Sequence, residues 1–162
     1  MEKTFAQLSE IKLVGITCRT NNAAEMNPAT AKIGQMIQRY QAEGITSKIP
    51  NLKNPGSTYC VYTEYESDFN GEYTYFIGAE VSSFDEVPND LFKLTIASQR
   101  YAKFTNGPAP MPGVCIDMWQ SIWSMDPEEL GGKRKYSADF EVYDERAYDL
   151  NSATLDIYIA LE

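Results

Sequence analysis

The chain has 162 residues, 14 Lys and Arg against 23 Asp and Glu for a formal net charge of −9, 43% hydrophobic residues, three cysteines and no histidine. That length fits one domain, residues 1–162, with a core of its own, and the lack of His removes Ser–His and Cys–His catalysis and His-ligated metal, leaving Asp, Glu, Tyr, Lys or Cys for any proton transfer. The acid excess argues against a binder of phosphate backbones, whose Lys and Arg would cluster on one face, and favours cationic partners instead.

The amino terminus, MEKTFAQLSE, lacks a basic segment followed by an apolar one, and no stretch approaches the roughly 20 apolar residues of a membrane span, so a soluble, cytoplasmic protein is expected. Next comes a strand, KLVGITCRTN, and then an amphipathic helix in PATAKIGQMIQRYQAEG. Its apolar residues Ile33, Met36, Ile37 and Tyr40 fall at i, i+3, i+4 and i+7, with Asn27-Pro28 as the start signal and Gly44 as the stop. Two strands follow, STYCVYTEYES and EYTYFIGAEV, joined by a hairpin turn at Asp68-Phe69-Asn70-Gly71. The order then repeats. QRYAKFTNG reads as a strand, and VCIDMWQSIWSMD as a helix with Cys115, Met118, Trp119, Ile122 and Trp123 on one face. DPEELGGKRK reads as a solvated loop, after which YSADFEVYDER and ATLDIYIALE are strands joined by a longer turn from Arg146 to Ser152.

Corresponding positions of the two halves keep a nearly constant spacing. Thr20-Asn21 and Thr105-Asn106 stand 85 apart, Met36 and Met118 82, Val61 and Val142 81, and Ile77 and Ile157 80. This predicts an α+β fold of two β-α-β-β units, about 5–85 and 88–162, forming a curved antiparallel sheet with two helices packed on one face. Cys18, Cys60 and Cys115 are odd in number and widely spaced, which suits reduced thiols rather than a disulfide framework or a metal knuckle. No G-x-G-x-x-G or phosphate loop is present, so no nucleotide, metal or other cofactor is expected.

Side chains alternate across a strand, which divides each hairpin into two faces. Leu155, Ile157, Ile159 and Leu161 make an apolar face for the helices, and Phe140 and Val142 are assigned beside them. The opposite face would then carry Tyr62, Tyr143 and Tyr158 around Glu141, giving a location to the excess of tyrosine, 11 residues in this chain. Two readings fit that pattern. Tyrosine is a common cross-strand residue that covers a sheet; alternatively, the face is an aromatic groove floored by an acid, suited to a flat lipophilic cation through cation–π attraction and countercharge. Trp119 and Met36 serve either the core or the pocket, and Trp123 is assigned to the core.

The runs RYAKFTNGPAP, CIDMWQSIW, DFEVYDER and DIYIALE, with IKLVGITCRTNN and YFIGAEV in the first half, resemble the GyrI-like family, the effector-binding domain also found in Rob-type and MerR-type multidrug regulators. The resemblance covers nearly the whole chain. It implies two pseudo-symmetric units with a ligand groove where they meet, and an aromatic pocket floored by a glutamate, carried over to Glu141. The candidate ligand set is Glu141, Tyr143, Tyr62, Tyr158, Trp119 and Met36. With no residues left over for a helix-turn-helix, the chain looks like a stand-alone module for lipophilic cationic small molecules, with no direct nucleic-acid or membrane contact expected from its composition, that could act in trans on a regulator or other protein, sequester a drug, or catalyse. Two other readings go with the family: a hydrolase opening strained electrophilic rings with Glu141 activating water, and a gyrase-interacting inhibitor.

Overall fold

The computed structural model describes residues 1–162. Eight strands form one antiparallel sheet: β1 (Glu2–Leu8), β2 (Ile11–Thr20), β3 (Thr58–Thr63), β4 (Tyr73–Glu80), β5 (Phe92–Ile96), β6 (Gln99–Ala109), β7 (Ala138–Tyr143) and β8 (Ala153–Leu161). Four helices accompany them, the short α1 (Asn22–Glu25) and α4 (Pro127–Leu130) and the longer α2 (Ile33–Ala42) and α3 (Gly113–Ser124). No helix is long and apolar enough to cross a membrane.

Across the sheet the strands run β1-β6-β8-β7-β3-β4-β2-β5. Exchanging the halves, β1 for β5, β2 for β6, β3 for β7 and β4 for β8, gives the same order read backwards. The duplication is therefore built into the pairing, with a pseudo-twofold axis between β3 and β7. The edge strands β1 and β5, which the repeat pattern did not predict, cross over: β1 of the first half pairs with β6, and β5 pairs with β2. Each half thus completes the sheet of the other.

Register corrects one of the spacings. Ile16 pairs with Ile77 and Phe104 with Ile157, so Ile16 and Phe104 are equivalent, 88 apart rather than 85. A slip of three residues, being odd, would have put the matched residues of these two strands on opposite faces. In the other ladders Cys60 pairs with Ile77, and Glu141 with Ile157. Cys60 and Glu141 are accordingly equivalent at the expected 81, and Tyr62 corresponds to Tyr143.

Chain entry into α2 also differs from expectation. Asn27 does not cap α2, whose N-cap position is Lys32; Asn21 instead opens the separate α1, accepting from Ala24 N at 2.7 Å. Glu25 then caps α2 from outside, accepting from the backbone N–H groups of Lys32 at 2.9 Å and Ile33 at 3.0 Å. Gly44 does stop the helix, in the left-handed region at φ 58°. DPEEL is not simply a loop, since Asp126 and Glu129 form a reciprocal capping box that opens α4 and buries Leu130.

Helices α2 and α3 lie on one side of the sheet, as expected for the fold class. Met36 and Tyr40 pack on Val14, Ile16, Tyr75 and Ile77; Met118, Trp119 and Ile122 pack on Phe104, Leu155, Ile157 and Ile159. The other side is buried too. Leu13, Val61, Phe76, Tyr101, Phe140 and Ala160, from six different strands, form a third cluster that the curvature of the sheet brings together.

Candidate functional site

Because Glu141 pairs directly with Ile157, it shares the side of the sheet that α3 covers. The assignment made from alternation is therefore inverted for β7 and for Tyr62 of β3: Glu141, Tyr143 and Tyr62 face the helices, while Phe140 and Val142 face away. Tyr158 does not join Glu141. Its ring stacks on Phe140 on the far side, with centroids 4.7 Å apart and an interplanar angle of 15°. Met36 is 8% exposed, packs inside the first-half core and lines neither cavity described below. The remaining candidates, Glu141, Tyr62, Tyr143 and Trp119, come together.

Glu141 is 4% exposed, yet three neutral donors satisfy it. The Tyr62 hydroxyl and the Trp119 indole N–H both donate to Oε2 at 2.7 Å, and the Tyr143 hydroxyl donates to Oε1 at 2.6 Å. Tyr143 also lies 3.4 Å from Cys115 Sγ; since its one proton goes to the carboxylate, the thiol is the donor in that contact. Tyr62 and Tyr143, equivalent under the pseudo-twofold, thus hold opposite oxygens of an acid standing beside the axis, with the small Cys60 as the acid's own equivalent. Glu141 takes part in none of the ion pairs of the chain.

Burial, and then the negative charge of Glu141, push the hydroxyls of Tyr62 and Tyr143 well above the usual tyrosine range, so both remain donors at neutral pH. Burial and the same carboxylate raise the thiols of Cys60 and Cys115. Thiols held protonated in this way are poor nucleophiles.

A cavity of about 230 Å³ opens beside this cluster on the Tyr62 side. Its walls are aromatic: Tyr62, Tyr65, Tyr73, Trp119, Trp123 and Phe69. Tyr62 meets Tyr73, Tyr75 and Trp119 edge to face at centroid distances of 5.0–5.5 Å. At the rim Phe69 stacks on Trp123 at 6.1 Å, and Asn22 ties the Phe69 carbonyl down at 2.8 Å. The other charged side chains of the wall have partners of their own, although Arg134 Nε and Nη1 are buried without one. Arg134 pairs at 2.7 Å with the fully buried Asp139, which also accepts from Tyr65, and Glu25 is engaged in capping α2. A second cavity, about 530 Å³, lies on the Tyr143 side.

Trp123 is 36% exposed and lines the first cavity rather than the core. Its place four residues after Trp119 was the available signal, and α3 turns both indoles toward the cavity. Tyr65, Tyr73 and Phe69 carried no such signal, because they converge from β4 and the loop before it.

A family model described as Cass2, integron-associated effector binding protein, matches residues 4–161. Among solved structures, the Vibrio cholerae integron cassette protein is 30% identical, with TM-score 0.76 over 99% of this chain and 95% of that one. The structure of SAV2435 bound to tetraphenylphosphonium superimposes with TM-score 0.77 at 19% identity, over 100% of this chain and 94% of that one. A Bacillus subtilis protein described as a transcriptional regulator, YobU, is 26% identical over 161 residues, 98% of each chain.

Proposed function

The chain belongs to the Cass2 family of integron-associated effector-binding proteins, and from that premise we propose that its effectors are hydrophobic, cationic small molecules taken into the Tyr62–Trp119–Trp123 cavity with Glu141 as countercharge. The observation that carries this reading is the state of Glu141: a buried carboxylate held by three neutral donors and no cation. Those bonds stabilise the charge without neutralising it, so its field extends into the cavity through a medium that screens weakly.

Nor does a ligand have to touch the carboxylate. Tyr62 and Trp119 donate their protons to it while their rings line the cavity, and donation to an anion makes each ring a richer π face for a cation. Each cation–π contact contributes about 0.5–2 kcal/mol. That a protein of the same fold is seen with tetraphenylphosphonium, a lipophilic cation, supports the choice of ligand class. Hydrolysis by Glu141 has less support, because three donors already occupy the carboxylate that would have to take a proton from water.

Both tryptophans of the chain line the cavity, so binding reports itself in intrinsic fluorescence. Titration with tetraphenylphosphonium is expected to quench wild type saturably, and Glu141→Gln to weaken binding at least tenfold. Equal binding by the two proteins, or none by wild type, rejects the cationic assignment.

A further inference from the structure

We propose that the cavity on the Tyr143 side is a second, separate ligand lobe, which takes a flat neutral aromatic molecule bearing a hydrogen-bond acceptor while the cation occupies the first. The proposal rests on the reading above only for the occupant of the first lobe. Its starting point is the pseudo-twofold. Tyr62 lines the first cavity and Tyr143 the second, each donating to a different oxygen of Glu141. Trp119 and Trp123 of the first lobe correspond, 82 residues back, to Ile37 and Gln41, and both of these line the second. The duplication has therefore kept a cavity on each side of one acid, with two indoles in the first and Ile and Gln at the equivalent positions of the second. The lobe without indoles is the more spacious, about 530 Å³ against about 230 Å³.

The chemistry of the second lobe differs from that of the first. Ile37, Tyr40, Met111, Ala147 and Leu150 make its walls apolar, and its one carboxylate, Asp144, is held by Arg146 through contacts of 2.9 and 3.0 Å. Glu141 carries a single negative charge, which a cation in the first lobe neutralises for both sides. A second cation would then enter an apolar lobe with no countercharge left, at the cost of its hydration. A neutral ring meets no such penalty, and Met111 and Tyr143 offer it a sulfur contact and an aromatic edge. The polar handle follows from Tyr40. Its hydroxyl stands in the wall out of solvent, and the neighbouring Thr46 hydroxyl, which acts on its oxygen as a donor, leaves the Tyr40 proton without an acceptor. An acceptor on the ligand would satisfy that donor.

The test uses the full chain, tetraphenylphosphonium and Prodan, a neutral naphthalene with a carbonyl acceptor and an environment-sensitive emission. With tetraphenylphosphonium at saturation, one equivalent of Prodan is expected still to bind, in an apolar environment. Ile37→Trp, which rebuilds in the second lobe the side chain that fills the first, should weaken Prodan at least tenfold and shift cation affinity less than threefold. Gln41→Trp, at an exposed position, repeats the test where folding is not in question, and Tyr40→Phe should weaken Prodan about threefold to tenfold with little effect on the cation. Displacement of all Prodan by tetraphenylphosphonium, or Prodan binding indifferent to both tryptophan variants, overturns the second lobe. If the cation fails to bind while Prodan still does, sensitive to Ile37→Trp, the second lobe stands and the cationic assignment alone fails.

Discussion

Glu141 sets the hardest energetic problem in the chain, because taking a carboxylate out of water costs several kcal/mol unless strong donors replace the solvent. Hydrogen bonds to a charged group contribute about 1.5–3 kcal/mol each, so Tyr62→Phe and Tyr143→Phe should each lower unfolding free energy by about that amount in denaturant titrations. Glu141→Gln should cost less, about 1 kcal/mol. Its carbonyl keeps Tyr62 and Trp119, its amide donates to the Tyr143 oxygen, and the Tyr143 proton turns to Cys115 Sγ. A loss of cation binding in that variant would then report charge rather than collapse; if Glu141→Gln proves more damaging than Tyr143→Phe, the three-donor account is wrong. Glu141 stood out in the sequence as the acid among Tyr62, Tyr143 and Tyr158, and as the position to which the family resemblance carries a pocket glutamate. Its direction did not, since Phe140 before it is as thoroughly buried as it is and Val142 after it is partly buried. Alternation tells a strand only that neighbours point opposite ways. It names the core face when the other face is wet, and on β7 neither is: Phe140 is 1% exposed and Glu141 4%. Tyr158 was assigned the correct face of β8, away from the helices, and parted from Glu141 only because β7 was inverted.

Among the elements, those that repeat with strong apolar periodicity were legible: α2, α3 and the β3–β4 and β7–β8 hairpins. The strands β1 and β5 were not. β1 is exposed along most of its length, Phe5 and Phe92 are 51% and 39% exposed, and the partners of both strands lie in the opposite half, far away in sequence. Short edge strands of this kind are specified by the sheet they join rather than by their own pattern. The β2–β4 ladder carries a further constraint, a glycine pair formed by Gly15 and Gly78. A β-carbon on Gly78 would collide with the Val14 carbonyl and press on the Phe76 ring. Gly78→Ala should therefore destabilise by about 1–3 kcal/mol through overpacking, whereas Gly34→Ala on α2, where nothing lies within 4 Å, should be neutral or mildly stabilising. Thermal unfolding of the two variants side by side checks this, and equal midpoints would contradict the close approach.

At the scale of the whole molecule, the two halves meet on a seam of tyrosines around one acid, and that seam makes stability sensitive to alkali. Tyr62, Tyr65, Tyr75 and Tyr143 all have hydroxyls pushed well above the ordinary value of 10.0, in each case mainly by burial and further by negative neighbours. Tyr101, on the far face, is pushed up to about 12 by burial. In the unfolded chain these groups ionise near pH 10; in the folded chain they do not. Below that pH both states carry the same protons and these groups leave stability unchanged. Above it the unfolded state binds fewer protons than the native state, so stability falls as pH rises, by about 1.4 kcal/mol per pH unit for each such tyrosine. Four together remove about 5–6 kcal/mol per unit, and a domain stabilised by about 5–15 kcal/mol loses its margin within about one to three units above pH 10. The buried thiols of Cys60 and Cys115 begin the decline nearer pH 9. Urea midpoints measured from pH 8 to 12 should fall steeply over the upper half of that range, and tyrosinate absorbance of the native protein should rise in a late step coincident with loss of sheet signal. A gradual native-state titration centred near pH 10, with urea midpoints unchanged, would mean that the tyrosine seam is open to water and that Glu141 lies in a solvated groove. Saturating tetraphenylphosphonium adds its binding free energy to the native state and should carry the unfolding step to higher pH in wild type, and by less in Glu141→Gln.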